Sequence, residues 1–172
     1  MLRHLALVGF SLVAAAPATA LDLPARKPGL WELKMTFTGG KIPVQSIKQC
    51  IDAASDRLLN SNFGGDAMQQ TCSKQDVSRS GATLTVDSIC TVSGKTVTSH
   101  AVVTGSFDSR YTVEVDSTRG PDARASHMTL VATWLSPCEP GQRPGDMVMA
   151  GGIKINVLDL QKKLKQLKQL KQ

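Results

Sequence analysis

Two histidines, His100 and His127, are the side chains best suited to acid–base or metal chemistry in the part of the chain that is expected to fold. An imidazole changes charge near neutral pH and binds transition metals. Neither histidine lies in a Gly-x-Ser-x-Gly or His-Glu-x-x-His sequence, and the many serines give no reason to select one as a nucleophile. We therefore predict a protein that is not an enzyme, with no catalytic residue and no cofactor.

Two further groups of side chains suggest carboxylate or metal chemistry. Glu114 and Asp116 share one face of a predicted strand, but a solvated face accounts for them without glycosidase-type catalysis. His127-Met128 and the segment Asp146–Met149 contain imidazole and thioether groups, which Cu(I) prefers. Met128 is expected to face the core, where methionine fills gaps. A hydrolase or a copper-handling protein is therefore a lesser alternative, and no metal site is predicted.

The cysteines are predicted to form two disulfides, because the amino terminus resembles an export signal and disulfides form in oxidising compartments. The four cysteines are Cys50, Cys72, Cys90 and Cys138. No Cys-x-x-Cys pair is present, and three pairings are possible. Cys72 and Cys90 are symmetric about Gly81, which favours a hairpin with these two paired and Cys50 bonded to Cys138.

One observation opposes that pairing. In a regular hairpin joined at Cys72 and Cys90, the apolar Leu84 and Val86 would face polar residues on the other strand, while Val77 would point the other way. A β-bulge would repair this mismatch. Because sequence alone does not determine disulfide connectivity, the alternative pairings stay open.

Alternation of apolar and polar residues is the main structural signal in the body of the chain. It appears in the apolar sets Trp31/Leu33/Met35/Phe37, Val97/Ala101/Val103/Phe107, Tyr111/Val113/Val115 and Met128/Leu130/Ala132/Trp134. Strands with one apolar and one wet face are typical of an antiparallel sheet covered on one side. The sequence therefore predicts a mainly β (α+β) fold, a curved antiparallel meander of about seven strands with a short helix over Ala53–Leu59.

The chain divides into three predicted parts. Residues 1–20 have a basic start, a twelve-residue apolar run and the small residues Ala18-Thr19-Ala20, as in a cleaved signal peptide. No cysteine precedes Cys50, so a lipoprotein is not expected. Residues 21–158 form a single β-rich domain, and residues 159–172 form a Lys/Leu/Gln tail. This organisation predicts an exported protein of the periplasm.

The formal net charge of +6 is unevenly distributed. Residues 21–158 contain 14 basic and 13 acidic residues, whereas five of the lysines fall in the last 14 residues. A nucleic-acid-binding face needs clustered basic residues without matching acids, so the domain is not expected to bind nucleic acid.

The tail is predicted to form an amphipathic helix. Leucines recur at helical spacing, and Asp159 suits the amino-terminal end of the helix dipole. The candidate contact residues for a membrane or partner are Leu160, Lys163, Leu164, Leu167 and Lys168. Three interpretations remain open: a helix that packs on the domain or frays in solvent, association with itself or a partner, and binding to anionic lipid.

The run Lys27-Pro28-Gly29-Leu30-Trp31-Glu32 resembles the start of domain-of-unknown-function family 3617, a group of exported proteins of Gram-negative bacteria. The order of the cysteines, Gly105-Ser106-Phe107 and Trp134-Leu135-Ser136-Pro137-Cys138 agree with that resemblance. It implies a periplasmic, mostly β protein with structural cysteines, and it implies no activity. The tail lies outside the resemblance.

These observations lead to two functional hypotheses. The first is a protein that binds a hydrophobic ligand or partner segment on the apolar side of the sheet, with Trp31 and Trp134 lining the groove, although Trp31 also suits the core. The alternative is contact with the envelope, a membrane surface or a partner through the basic tail helix.

Overall fold

A computed structural model describes residues 23–38, 42–64, 72–120 and 125–170, the side chains of residues 61–64 and Lys168 excepted. The predicted signal peptide over residues 1–20 lies outside these ranges. No helix within the described ranges is long and apolar enough to cross a membrane.

Within the described ranges, nine strands form one antiparallel sheet, accompanied by two helices. The strands are β1 (Gly29–Thr38), β2 (Gln45–Ile51), β3 (Cys72–Ser80), β4 (Thr83–Val92), β5 (Lys95–Ser106), β6 (Arg110–Arg119), β7 (Ser126–Ser136), β8 (Asp146–Met149) and β9 (Lys154–Asn156); the helices are α1 (Ala53–Gly64) and α2 (Val157–Gln169). The mainly β antiparallel prediction is confirmed, with two more strands than expected. Strands β8 and β9 have four and three residues, too few to show alternation in the sequence.

The strand order is β3-β4-β5-β6-β7-β1-β2-β8-β9. Strands β3 to β7 follow one another as a meander, and β1 then pairs with β7 on one side and β2 on the other. Helix α1 follows β2, which lies inside the sheet, and precedes β3, which lies at the far edge. The first strand of the chain therefore has a central position, where both its edges are hydrogen-bonded.

The core lies on one face of the sheet, here called the apolar face. Trp31 and Leu33 of β1 point to this face, and Leu33 is paired with Ala132, which is paired with Tyr111. Leu59 of α1 belongs to the same buried cluster. The opposite, polar face carries residues such as Lys34, because successive strand residues point to opposite sides. Helix α1 thus covers part of the apolar face.

Both disulfides follow the favoured pairing, Cys50–Cys138 and Cys72–Cys90. The register of β3 and β4 shifts by one residue between Cys72 and Lys74. Beyond this bulge, Val77 faces Val86 across the two strands. The apolar side chains therefore share one face while the two cysteines remain opposite each other.

Candidate functional site

Helix α2 begins on the domain itself, two residues earlier than the tail boundary predicted at Asp159. The Asn156 side chain caps the helix, since its Oδ1 accepts hydrogen bonds from the Leu158 and Asp159 amides, both at 3.1 Å. Asn156 Nδ2 donates to Asp146 Oδ1 at 2.8 Å, and Val157 packs against the core cluster. The first turn of α2 is therefore fixed to strand β8.

Two ion pairs connect the same turn to the sheet edge. Arg143 Nη2 lies 2.9 Å from Asp159 Oδ2, and Lys154 Nζ lies 2.9 Å from Asp146 Oδ2. Burial raises the pKa of Asp146, but hydrogen bonds from the Arg143 amide, Asn156 and Lys154 outweigh burial and lower the pKa to about 2. Asp146 is therefore ionised at neutral pH and holds the base of α2.

An exposed row of leucines, here called the leucine stripe, runs along α2 and ends at its C-cap residue, Leu170. Leu160, Leu164, Leu167 and Leu170 are 49%, 51%, 56% and 83% exposed. Side chains three and four residues apart share one side of a helix, so the first three leucines form a continuous strip. Lys162, Lys163 and Lys165 are also exposed.

The structure therefore brings Leu160, Lys163, Leu164 and Leu167, all predicted from the sequence as contact residues, to the surface of one helix. Lys168 lies in the same helix, and its side chain is outside the described residues. Sequence reasoning did not identify Arg143 and Lys154, which lie at the base of the helix, as candidate site residues. Arg143 lies in a loop and Lys154 in a three-residue strand, and neither context has a pattern that marks a site.

The two histidines lie on the polar face, each beside an aspartate of a neighbouring strand. His100 Nδ1 is 2.7 Å from Asp87 Oδ1, and His127 Nδ1 is 2.9 Å from Asp116 Oδ1. The other nitrogen of His127, Nε2, lies 3.2 Å from Thr129 Oγ1. Cross-strand register creates these pairs, so sequence spacing alone did not indicate them.

The Thr129–His127–Asp116 series has the order of groups found in a hydroxyl nucleophile, a base and its orienting carboxylate. Such a site also needs hydrogen-bond donors aimed at a developing oxyanion. Strand β7 is paired on both sides, with β1 and with β6, so its backbone N–H groups lie within the sheet ladder. The backbone N–H groups of β7 are thus not available as the donor pair that acyl transfer requires.

The ligands considered for copper do not converge. His127 points to the polar face and Met128 to the apolar face, as successive residues of one strand must. Met147 is buried in the core cluster. Among the described residues, no group of three His, Cys, Asp or Glu side chains is placed to hold one metal ion. Of the residues considered for copper, His127 and Met128 thus point to opposite faces of the sheet, and Met147 lies in the core.

Trp31 is a core residue, which corrects its assignment to a ligand groove. Its side chain is 0% exposed, with the Arg26 guanidinium 5.8 Å from the ring centre and Tyr111 at 5.8 Å between centroids. Trp134 is partly exposed, with Lys27 Nζ 3.8 Å from its ring centre. The protein's own residues thus occupy the position where the groove at Trp31 was expected.

A buried polar cluster lies beside Trp31. Arg26 Nε donates to Asp56 Oδ1 at 2.7 Å, the Arg26 amide donates to Asp56 Oδ2 at 2.9 Å, and Arg26 Nη1 donates to Gln49 Oε1 at 3.0 Å. Burial raises the pKa of the nearby Tyr111 hydroxyl. These contacts fix α1 and the segment before β1 to the sheet. Sequence reasoning missed them, because arginine and aspartate are usually exposed.

The model of one protein family, described as a protein of unknown function (DUF3617), matches residues 26–138. The chain therefore belongs to this family. The match begins at Arg26 of the buried polar cluster and ends at the disulfide residue Cys138, and leaves β8, β9 and α2 outside. No curated protein and no solved structure matches the chain.

Proposed function

We propose that this DUF3617 protein attaches to an anionic membrane surface in the cell envelope through helix α2, and that its sheet is the domain carried by that helix. The observation that supports the proposal is the leucine stripe, whose four leucines are 49–83% exposed along a helix fixed to the domain at its first turn. An apolar strip flanked by lysines is typical of helices that lie in the membrane interface.

The charge of α2 favours anionic lipid over a neutral surface. From Val157 to Gln169 the helix carries four lysines and a single acid, Asp159, which is already paired with Arg143. A basic residue near an anionic leaflet contributes about 1 kcal/mol, and a fully buried leucine side chain contributes about 1.5–3 kcal/mol. Both contributions act on the same short helix, so attachment is expected to be reversible and sensitive to salt.

A periplasmic location is part of the proposal. The two disulfides are consistent with an oxidising compartment, and the amino-terminal residues have the pattern of a cleaved signal peptide. In that compartment the partner surface would be a membrane leaflet that faces the periplasm.

The test is sedimentation of purified protein with phosphatidylcholine vesicles, with and without phosphatidylglycerol. The diagnostic variant is Leu164→Gln with Leu167→Gln, because glutamine keeps helix propensity while it removes the apolar strip. A matched control, Val92→Gln with Leu135→Gln, removes two exposed apolar side chains elsewhere. We expect the helix variant to lose at least about tenfold in affinity for anionic vesicles, and the control to bind normally.

Equal binding by wild type and helix variant would contradict the proposal. A second contradicting result would come from sedimentation velocity without vesicles. If the wild type is a dimer and the helix variant is a monomer, the stripe is an interface between two copies.

A second candidate function is binding of an acyl chain on the open part of the apolar face. Met35, Phe37, Met128 and Val115 lie on this face outside the buried cluster and are partly exposed. Phe37 pairs with Met128, which pairs with Val115, so they form a continuous patch across three strands. Native mass spectrometry with added fatty acids tests acyl-chain binding. We expect a fatty-acid adduct on the wild type that Met128→Lys abolishes. Absence of any adduct on the wild type would exclude this function.

A further inference from the structure

An open cleft of about 470 Å³ lies between strand β9 and the beginning of α2. Three cationic side chains line it: Arg143, Lys154 and Lys163. Its wall also includes two carboxylates, Asp146 and Asp159. The lining therefore carries one net positive charge, at the point where the leucine stripe begins.

Both carboxylates are already matched by cations of the cleft. Arg143 bonds to Asp159 and Lys154 bonds to Asp146, whereas the ion pairs of the described residues do not include Lys163. A guanidinium has five N–H donors and an ammonium has three, so Arg143 and Lys154 each keep donors beyond these contacts. All three cations of the cleft thus keep hydrogen-bond donors for an incoming anion while both ion pairs stay intact.

The cleft is apolar on the side that meets the stripe. Ile155 and Leu160 line it, and both are exposed. Leu160 is also the first leucine of the stripe, and Lys163 follows it by three residues, on the same side of the helix. A ligand that fills the cleft therefore contacts both cationic and apolar side chains, and it lies next to the first leucine of the stripe.

We propose that this cleft binds the phosphate group of one anionic lipid, a phosphate monoester with acyl chains, and so gives α2 a preference among anionic membranes. A monoester presents three terminal oxygens to the three cations, whereas a phosphodiester presents two. Arginine and lysine are the usual phosphate partners, arginine through two parallel hydrogen bonds. The acyl chains extend along the leucine stripe. This inference rests on the proposed membrane attachment and names the lipid that the same helix recognises.

The experiment compares vesicles of phosphatidylcholine with phosphatidate and with phosphatidylglycerol, adjusted to equal surface charge. We expect wild type to bind the phosphatidate vesicles several-fold more tightly. Lys163→Ala should remove this preference. Lys165→Ala, which removes the same charge from a position outside the cleft, should weaken binding to both vesicles alike and keep the preference.

Equal binding of wild type to both anionic vesicles, or an equal effect of the two lysine variants on the preference, would overturn the cleft assignment and leave the attachment through α2 intact. Failure of the wild type to bind either kind of anionic vesicle would contradict the attachment itself. Inorganic phosphate alone, titrated without vesicles, should show no comparable affinity; an equally tight complex with it would overturn the assignment to a lipid.

Discussion

Arg26 and Asp56 are the residues whose environment departs furthest from what their type suggests. Their side chains are 5% and 2% exposed, and they are joined by two hydrogen bonds that connect the segment before β1 to helix α1. Removal of one partner leaves the other as an uncompensated buried charge, which is costly in a low-dielectric interior.

We therefore predict that Arg26→Ala lowers the free energy of unfolding by about 3–5 kcal/mol. Lys34→Ala is the control, because it breaks the exposed Lys34–Glu32 pair, worth below about 1 kcal/mol. Urea denaturation measures both. If Arg26→Ala lowers the free energy of unfolding no more than the control does, the buried pair does not hold α1 in place.

Asp146 predicts a pH dependence of stability. Its pKa is about 2 in the folded protein and about 3.9 in an unfolded chain. Because the folded pKa is lower, its contribution is present above about pH 4 and is lost as the pH falls through about 2.

Asp146→Asn should therefore lower the free energy of unfolding by about 2 kcal/mol at about pH 6. The difference between wild type and variant should shrink towards zero near about pH 2. Denaturation curves of both proteins across this range measure it, since the other carboxylates contribute equally to both. A constant difference at every pH would contradict the role of the Asp146 charge at the base of α2.

At the scale of elements, alternation predicted β1, β5, β6 and β7, and the symmetry of Cys72 and Cys90 about Gly81 predicted the hairpin of β3 and β4. The helical spacing of leucines predicted α2. Strands β8 and β9 were missed, because such short strands are defined by pairing with β2 and with each other. The bulge at Cys72 was identified as the device that reconciles the hairpin with its disulfide, yet only the three-dimensional register shows that it forms.

The two disulfides should differ in their effect on stability. Cys50–Cys138 closes 88 residues and Cys72–Cys90 closes 18, for which loop-closure entropy predicts roughly 4.5 and roughly 3 kcal/mol. Urea denaturation of two double variants, each with both cysteines of one disulfide changed to alanine, measures the stabilisation that each disulfide provides. We expect the Cys50/Cys138 variant to be the less stable one; the reverse order would show that the long loop stays constrained without its disulfide.

For the whole molecule, the net charge of +6 divides between a nearly neutral body and a basic carboxy-terminal region. The DUF3617 match, from Arg26 to Cys138, covers strands β1 to β7, whereas β8, β9, α2 and the cleft lie beyond it. The sequence indicated the basic, amphipathic character of α2. It did not indicate how the helix is anchored, because Arg143, Asp146 and Asn156 meet only through tertiary contacts.

Amide hydrogen exchange of the intact protein, with and without anionic vesicles, tests the attachment through α2 most directly. Beyond its anchored first turn, this 13-residue helix has exposed leucines and is marginally stable in water, so the amides there should exchange quickly in solution. We predict at least about tenfold slower exchange across Val157–Gln169 on phosphatidylglycerol-containing vesicles, and no change with phosphatidylcholine alone. Unchanged exchange in α2 while the protein is bound, or new protection confined to β1, β6 and β7, would contradict the proposal.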